Sequence, residues 1–402
     1  MMERSVVRPG TSGELSEFIG DAAGDARKLE IRGGGTKASI GGSSRAAQII
    51  DMGGFDNVVD YDPAELVLTV GAGMPLATVQ ELVARERQML AFDPFDFGPI
   101  FGSAAGRSTI GGVVAAGLAG SRRLSAGSVR DHLLGFEAVS GRGERLVGGA
   151  KVVKNVTGYD LSKIMCGSWG RLVALTQVTL KVLPSGREQA SCLLEGLSAA
   201  IAVQAMAKAM GSQAEVSAAA HLPPRQPGDC SRTVLRVEGF EASVEARCRM
   251  LENALREFGP LQTLPAAQAD ELWADLRTLA PLADDPTLWR INVAPSRGAA
   301  VVQALEMHAA RWLFDWAGGL IWLSYGHAGL RADELDARAN AVRAAATHHG
   351  GHALLVRANE ELRARVPALQ PLDANVAALE SRVRRAFDPN GVFESGRFSH
   401  AN

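Results

Sequence analysis

Cysteine is scarce and scattered: the four residues Cys166, Cys192, Cys230 and Cys248 form no CxxC pair. Iron–sulfur clusters and structural zinc need thiolates a few residues apart, so this spacing argues against both. An excess of either charge is also missing, with 42 Lys and Arg against 44 Asp and Glu and a net charge of −2. That balance offers no basic field for nucleic acid; the main basic cluster is the pair Arg122-Arg123 behind a glycine-rich stretch. No run approaches the ~20 apolar residues that span a bilayer. Residues 1–13 have no apolar core of the signal-peptide kind. The expected location is cytoplasmic, with any membrane contact made through a partner.

What is present is apolar and glycine-rich: 47% of the 402 residues are hydrophobic, 21% charged, and 44 are glycine. A chain of this length exceeds one ordinary core, so two domains are expected. Over 28–183 the texture is short and β-rich, with predicted strands at 28–32, 48–51, 58–60, 66–71, 134–140, 146–148 and 173–183. One helix is predicted from Pro75, carrying Leu76, Val79, Leu82, Val83 and Leu90 on one face. The segment 92–101 reads as an ordered loop.

From 190 the pattern turns regular. Strand 191–195, helix 198–210, strands 215–220 and 232–238 and helix 241–258 are followed by a helical linker near 268–280. The order then recurs as strand 287–294, helix 299–310, strands 312–316 and 319–325, helix 331–348 and strand 352–357. This is a duplicated β-α-β-β-α unit, a split βαβ arrangement expected to form one antiparallel sheet with helices on one face. A last helix over 376–387 stops at Asp388-Pro389-Asn390-Gly391.

Three segments carry chemistry. Gly33-Gly34-Gly35-Thr36-Lys37 follows a strand, and consecutive glycines let the backbone approach an anion, a pyrophosphate above all. The alternative is a plain flexible connection. Neither GxGxxG between strand and helix nor GxxxxGK[ST] occurs, which argues against Rossmann and P-loop folds. The second segment, Ser108 to Gly120, is built of small residues; it suits a large flat ligand, or a small-residue helix crossing that leaves Thr109 unexplained. The third, residues 151–182, holds a polar turn (Asn155, Thr157, Gly158, Tyr159, Asp160), a short helix, a break at Gly167–Gly170 and a long strand.

In sequence order, RGGGTK, GAGMPLATVQEL, DP, TIGGVVAAGLAG and KNVTGYDLSKIMCGSWGRLVALTQVTLKVLP together resemble the FAD-binding domain of the vanillyl-alcohol-oxidase and p-cresol-methylhydroxylase class. More narrowly they resemble the FAD-binding E subunits of bacterial glycolate oxidases. The ending FDPNGVFESGRF is similar to that family's tail, with Glu394 and Ser395 where Asn and Pro are usual. The resemblance implies an α+β chain with a two-subdomain FAD-binding part over 1–186, a cap over 187–370 and a returning tail over 371–402. It implies pyrophosphate contacts from Arg32, Gly33, Gly34, Gly35, Thr36 and Lys37, and flavin and ribityl contacts from Thr109, Gly111, Gly112, Ala115 and Gly117. Adenine-side contacts fall to Met74, Pro94 and Val173. With Thr36 where covalent relatives carry a tether, the FAD is expected to be non-covalent.

The resemblance further implies oxidation of a small 2-hydroxy acid such as glycolate beside a larger flavin subunit and an Fe–S subunit. Hydroxy-acid-oxidising relatives carry HxGDGNxH in the cap; the nearest stretch here, Tyr325 to Leu330, lacks its Asp, Asn and second His. Two readings follow, a working flavin subunit or a non-catalytic FAD module that relays electrons while a sister subunit oxidises substrate. An autonomous oxidase ranks below both. Arg290 is the candidate carboxylate grip, against an ordinary strand arginine. Tyr159 and His327 are candidate acid–base groups, with structural roles as the alternative. His348, His349 and His352 resemble a metal tract, but a helix end followed by glycine explains them better, and no metal is expected. Trp312, Trp316 and Trp322 fit core positions of the cap.

Overall fold

The computed structural model describes residues 5–150, 159–306 and 310–398. Asn155, Thr157 and Gly158 of the predicted polar turn lie outside the described residues. Two sheets build the first part of the chain. Ser5–Val7, Gln48–Asp51 and Leu29–Arg32 form a parallel three-stranded sheet in that spatial order. Val58–Asp62, Val67–Gly71, Val173–Lys181, Leu133–Ser140 and Arg145–Gly149 form an antiparallel five-stranded sheet. The glycine turn leaves the parallel sheet at Arg32 and comes up against the central strand Val173–Lys181 of the other.

Sequence pattern and structure differ at three places here. The predicted helix runs Leu76–Arg85 with Pro75 as its N-cap, so Leu90 lies beyond it. Arg87 takes φ +55°, which turns the chain out of the helix, and Gln88–Met89 then pairs with Leu183–Pro184. The long strand predicted to 183 accordingly stops at Lys181. A helix unread in the sequence, Ser12–Gly24, starts at Thr11, whose hydroxyl accepts from the Glu14 amide while the Glu14 carboxylate accepts from Gly10. Its Leu15, Ile19 and Ala22 are fully buried against Val139 and Ala174.

The second part forms one eight-stranded antiparallel sheet. Edge to edge it runs Gln262–Thr263, Glu188–Glu195, Arg232–Gly239, Ala218–Leu222, Arg311–Asp315, Leu320–Tyr325, Thr287–Asn292 and His352–Arg357. The spatial order within the first unit (first, third, second strand) is mirrored in the second, and the units join between Ala218–Leu222 and Arg311–Asp315. The duplication read from element order is therefore a pseudo-twofold arrangement.

Alternation along these strands sends side chains to two cores. Trp289, Ile291, Phe314, Ile321 and Leu323 pack on helices Ala199–Met210, Glu241–Leu255, Gly298–Leu305 and Ala332–His348. Leu288, Leu313, Leu320 and Trp322 face the other way and share a core with Phe97, Ile110 and Val113 of the first part. Helix Ala266–Thr278 lies on this second face, through Leu272, Trp273 and Leu276. Each such large apolar side chain contributes about 1.5–3 kcal/mol on burial, so the two parts are fused by shared core rather than hinged on a thin contact.

Candidate functional site

The glycine turn is held by contact with the segment before the second glycine motif. A Cβ on Gly34 would lie 1.4 Å from the Arg107 carbonyl oxygen, so no other residue fits there. Gly35 adopts φ +75°, the left-handed region that side chains disfavour. Thr109 is the N-cap of helix Ile110–Ala116, accepting from the Gly112 amide at 3.2 Å. A helix does run through this small-residue segment, and capping is what Thr109 does in it. The helix ends at Gly117 with φ +64°, against Gly167.

Between turn and helix opens a solvent-open cleft, with about 760 Å³ of free space when the open solvent at its mouth is included. Of the residues expected to contact FAD, it is lined by Arg32, Gly33, Gly34, Gly35, Thr36, Lys37, Thr109, Gly111, Gly112, Ala115 and Val173. Three others stand elsewhere. Met74 is buried in the core; Pro94 sits in the loop whose carbonyl accepts from Gln80; Gly117 closes the helix. Sequence reasoning missed Glu30, Trp169, Gly170 and Arg397, all on the wall. Trp169 arrives because the Gly167 and Trp169 amides donate to Val114 and Ala115, docking that segment on the helix end. Arg397 comes from the tail, donating to the Lys37 and Ile40 carbonyls at 2.6 and 2.9 Å.

Polar groups on the wall are tightly ordered. The Thr36 and Ser108 hydroxyls are 3.0 Å apart, and Ser108 donates to Asp96 at 2.8 Å. Burial opposes ionisation of Asp96, yet its bonds from Gly98, Ser108 and Gly106 hold the carboxyl below its ordinary range. Glu30 behaves alike: burial pushes it up, and Arg32, Ser44 and the Arg397 charge bring it below. Lys37 is the outlier. Burial lowers its ammonium to about 8 against a small opposing pull from Asp96.

This wall fits an anionic, partly flat cofactor. Among the described residues, the amides of Gly34, Gly35, Thr36 and Lys37 have no protein acceptor, and Lys37 is a half-buried cation beside them. The segments opposite are Gly and Ala, which admit a planar ring.

Residues 4–149 match the protein family described as FAD binding domain. Glycolate oxidase subunit GlcE of Escherichia coli (strain K12) is 33% identical over 385 residues, covering 95% of this chain and 96% of that one. The chain belongs to the GlcE family. FAD is its cofactor, as the family match and the cleft agree. Glycolate oxidase subunit GlcD of Bacillus subtilis (strain 168) is 28% identical over 185 residues, 46% of this chain and 39% of that one. The solved structure of p-cresol methylhydroxylase with substrate bound shares the fold, with a TM-score of 0.70 at 13% identity, covering 98% of this chain and 88% of that one.

The candidate catalytic residues of this GlcE-family chain do not converge. Tyr159 is 96% exposed. His327 is tied through Nε2 to the Thr287 hydroxyl. Arg290 stands three residues along the same strand from Thr287, roughly 10 Å away. It faces the first part of the chain, with its guanidinium over the Trp316 ring at 5.2 Å. Arg123, from the first part, covers the same indole at 4.9 Å. Burial and the Arg123 charge lower Arg290 to about 10, against the pull of Asp315. Asp315 is itself raised to about 6 by burial, although it accepts from Ser121 and the Trp316 amide. Trp316 and Trp322 are interface core, as their pattern predicts. His348 and His349 end their helix ahead of Gly350 at φ +73°. Among the described residues no three His, Cys, Asp or Glu side chains converge as a metal site. No described helix is long and apolar enough to cross a membrane.

Proposed function

We propose that this chain is the FAD-bearing E-type subunit of a glycolate oxidase, handling electrons from a small 2-hydroxy acid within a complex that also holds a larger flavin subunit and an Fe–S subunit. The observation that carries this is the joint occurrence of the FAD cleft with similarity to GlcE over almost the whole of both chains. Residues 1–186 form the FAD-binding part, 187–370 the cap and 371–402 the returning tail. Gly33, Gly34, Gly35, Thr36 and Lys37 hold the pyrophosphate, and Thr109, Gly111, Gly112 and Ala115 face the flavin end. Bound FAD supplies the two-electron redox chemistry. Among the described residues no His or Cys lines the cleft, which supports FAD held without a covalent tether.

Arg290 and Arg123 supply a pair of cations where cap meets FAD-binding part, suited to a carboxylate. A second reading gives the oxidation to the sister flavin subunit and leaves this chain as relay. The bond between His327 and Thr287 favours it, because it holds that histidine roughly 10 Å along the strand from Arg290. The purified chain, mixed anaerobically with glycolate, tests the subunit role through its flavin absorbance and turnover. Slow bleaching alone, with turnover appearing on co-expression with both partners, supports a subunit role. Full turnover by the isolated chain overturns it.

A further inference from the structure

On the far side of the cap sheet from the FAD cleft, two of the four cysteines meet. Cys192 lies in strand Glu188–Glu195 and Cys248 in helix Glu241–Leu255, 56 residues apart, and their sulfurs are 3.6 Å from one another. Both belong to the first repeat unit. Cys192 is 1% exposed, whereas Cys248 is half-buried and flanked by Arg247 and Arg249. The remaining cysteines lack such company: Cys166 is half-buried in the first part, and Cys230 is exposed.

We propose that Cys192 and Cys248 are a redox-modification site, converted to an intramolecular disulfide by low-molecular-weight disulfides of the glutathione type. A disulfide needs its sulfurs about 2.05 Å apart, so the pair must close by about 1.5 Å without moving strand or helix far. The roles of the two sulfurs follow from their surroundings. The Cys192 thiol donates to Cys248, which with the Arg247 and Arg249 charges lowers the Cys248 thiol to about 7 despite burial. Cys192 is shifted upward by the same bond and by burial. Cys248 thus offers the attacking thiolate, and its partial exposure gives the oxidant access.

In the first step the Cys248 thiolate attacks one sulfur of the small disulfide, forming a mixed disulfide and releasing one small thiolate. Cys192 then loses its proton and attacks the Cys248 sulfur, displacing the second small thiol. Two protein thiols are oxidised, one small disulfide is reduced to two thiols, and no other oxidant enters.

Incubation of the FAD-loaded full chain with oxidised glutathione, followed by alkylation and peptide mass spectrometry, tests this. The expected product is a peptide linking Cys192 to Cys248, about 2 Da lighter than the two reduced peptides and restored by dithiothreitol. Cys192→Ser should instead leave glutathione on Cys248, because the resolving thiol is gone. The flavin spectrum, read in the same sample, reports that the chain is still folded. If a folded, oxidised sample keeps Cys192 and Cys248 fully alkylatable while Cys230 is glutathionylated, the proposal is wrong. It is equally wrong if the wild-type chain retains glutathione on Cys248 with no link to Cys192.

Discussion

Thr36 and Ser108 are 72 residues apart in sequence, yet their buried hydroxyls meet at 3.0 Å. That contact joins the glycine turn to the loop ahead of the second glycine motif, and Asp96 anchors it from behind. The cleft wall is therefore one hydrogen-bonded unit built from two segments that each look like ordinary loops.

Gly34→Val should yield a chain that purifies without flavin. Its Cβ would collide with the Arg107 carbonyl at 1.4 Å, forcing turn and loop apart at a cost of about 1–3 kcal/mol or more. Gly112→Val is milder, since its Cβ meets the Thr109 hydroxyl at 3.2 Å and the Lys37 Nζ at 3.8 Å, with no backbone in the way. The flavin-to-protein absorbance ratio ranks the two. Stoichiometric flavin in Gly34→Val would show that the turn is merely a connection.

Acid or heat should release FAD intact into the supernatant, because among the described residues no His or Cys lines the cleft to tether it. Yellow colour that stays with the precipitated polypeptide would contradict this.

Lys37 makes two opposite pH dependences. Without FAD its folded value is about 8 against an ordinary 10.5, so between these the unfolded chain holds a proton that the fold does not. The penalty is fully present below about pH 8, and stability of the FAD-free chain rises as pH climbs beyond it. Bound pyrophosphate favours the charged ammonium, so FAD affinity should fall above pH 8 by up to roughly tenfold per unit. Lys37→Met should flatten both slopes while weakening FAD binding at neutral pH. Denaturant melts and flavin titrations across the range read the two effects separately.

Arg290→Ala in the assembled complex addresses the division of labour. If this subunit grips the substrate carboxylate, kcat/KM for glycolate drops at least tenfold, about 1.4 kcal/mol, and Arg123→Ala compounds the loss. An unchanged kcat/KM assigns the carboxylate to the sister subunit.

Much of the architecture was legible in the sequence because it rests on local pattern. The duplicated unit, the strand Gln48–Asp51 and the glycine turn all announce themselves through periodicity or composition. Helix Ser12–Gly24 was equally legible, since Thr11 and Glu14 stand at capping-box spacing, and it went unread. The cleft wall was legible only in part. Trp169 is placed by two amides that reach back to a helix end, Glu30 sits on a plain strand, and Arg397 arrives from the far end of the described chain. Those placements are tertiary, and no spacing rule encodes them. The assignment of Leu90 to a helix failed for a local reason, the positive φ of Arg87, which an arginine gives no warning of.

Asp388 illustrates how the tail is fixed. Buried after the last helix, it accepts from the amides of Val392 and Phe393, both at 2.8 Å. Asp388→Ala strands both donors and should lower stability by roughly 2–4 kcal/mol, seen as a lower Tm. Flavin retention should fall with it, since Arg397 hangs from the same turn.

Arg397 is made 360 residues after Lys37, whose carbonyl it holds. At ordinary translation speeds that is a delay of roughly 20–70 s. Throughout it, a nascent chain displays its glycine turn with one wall of the cofactor site still unsynthesised. The site is thus complete only at the end of synthesis, and a chain stalled short of the tail lacks that wall.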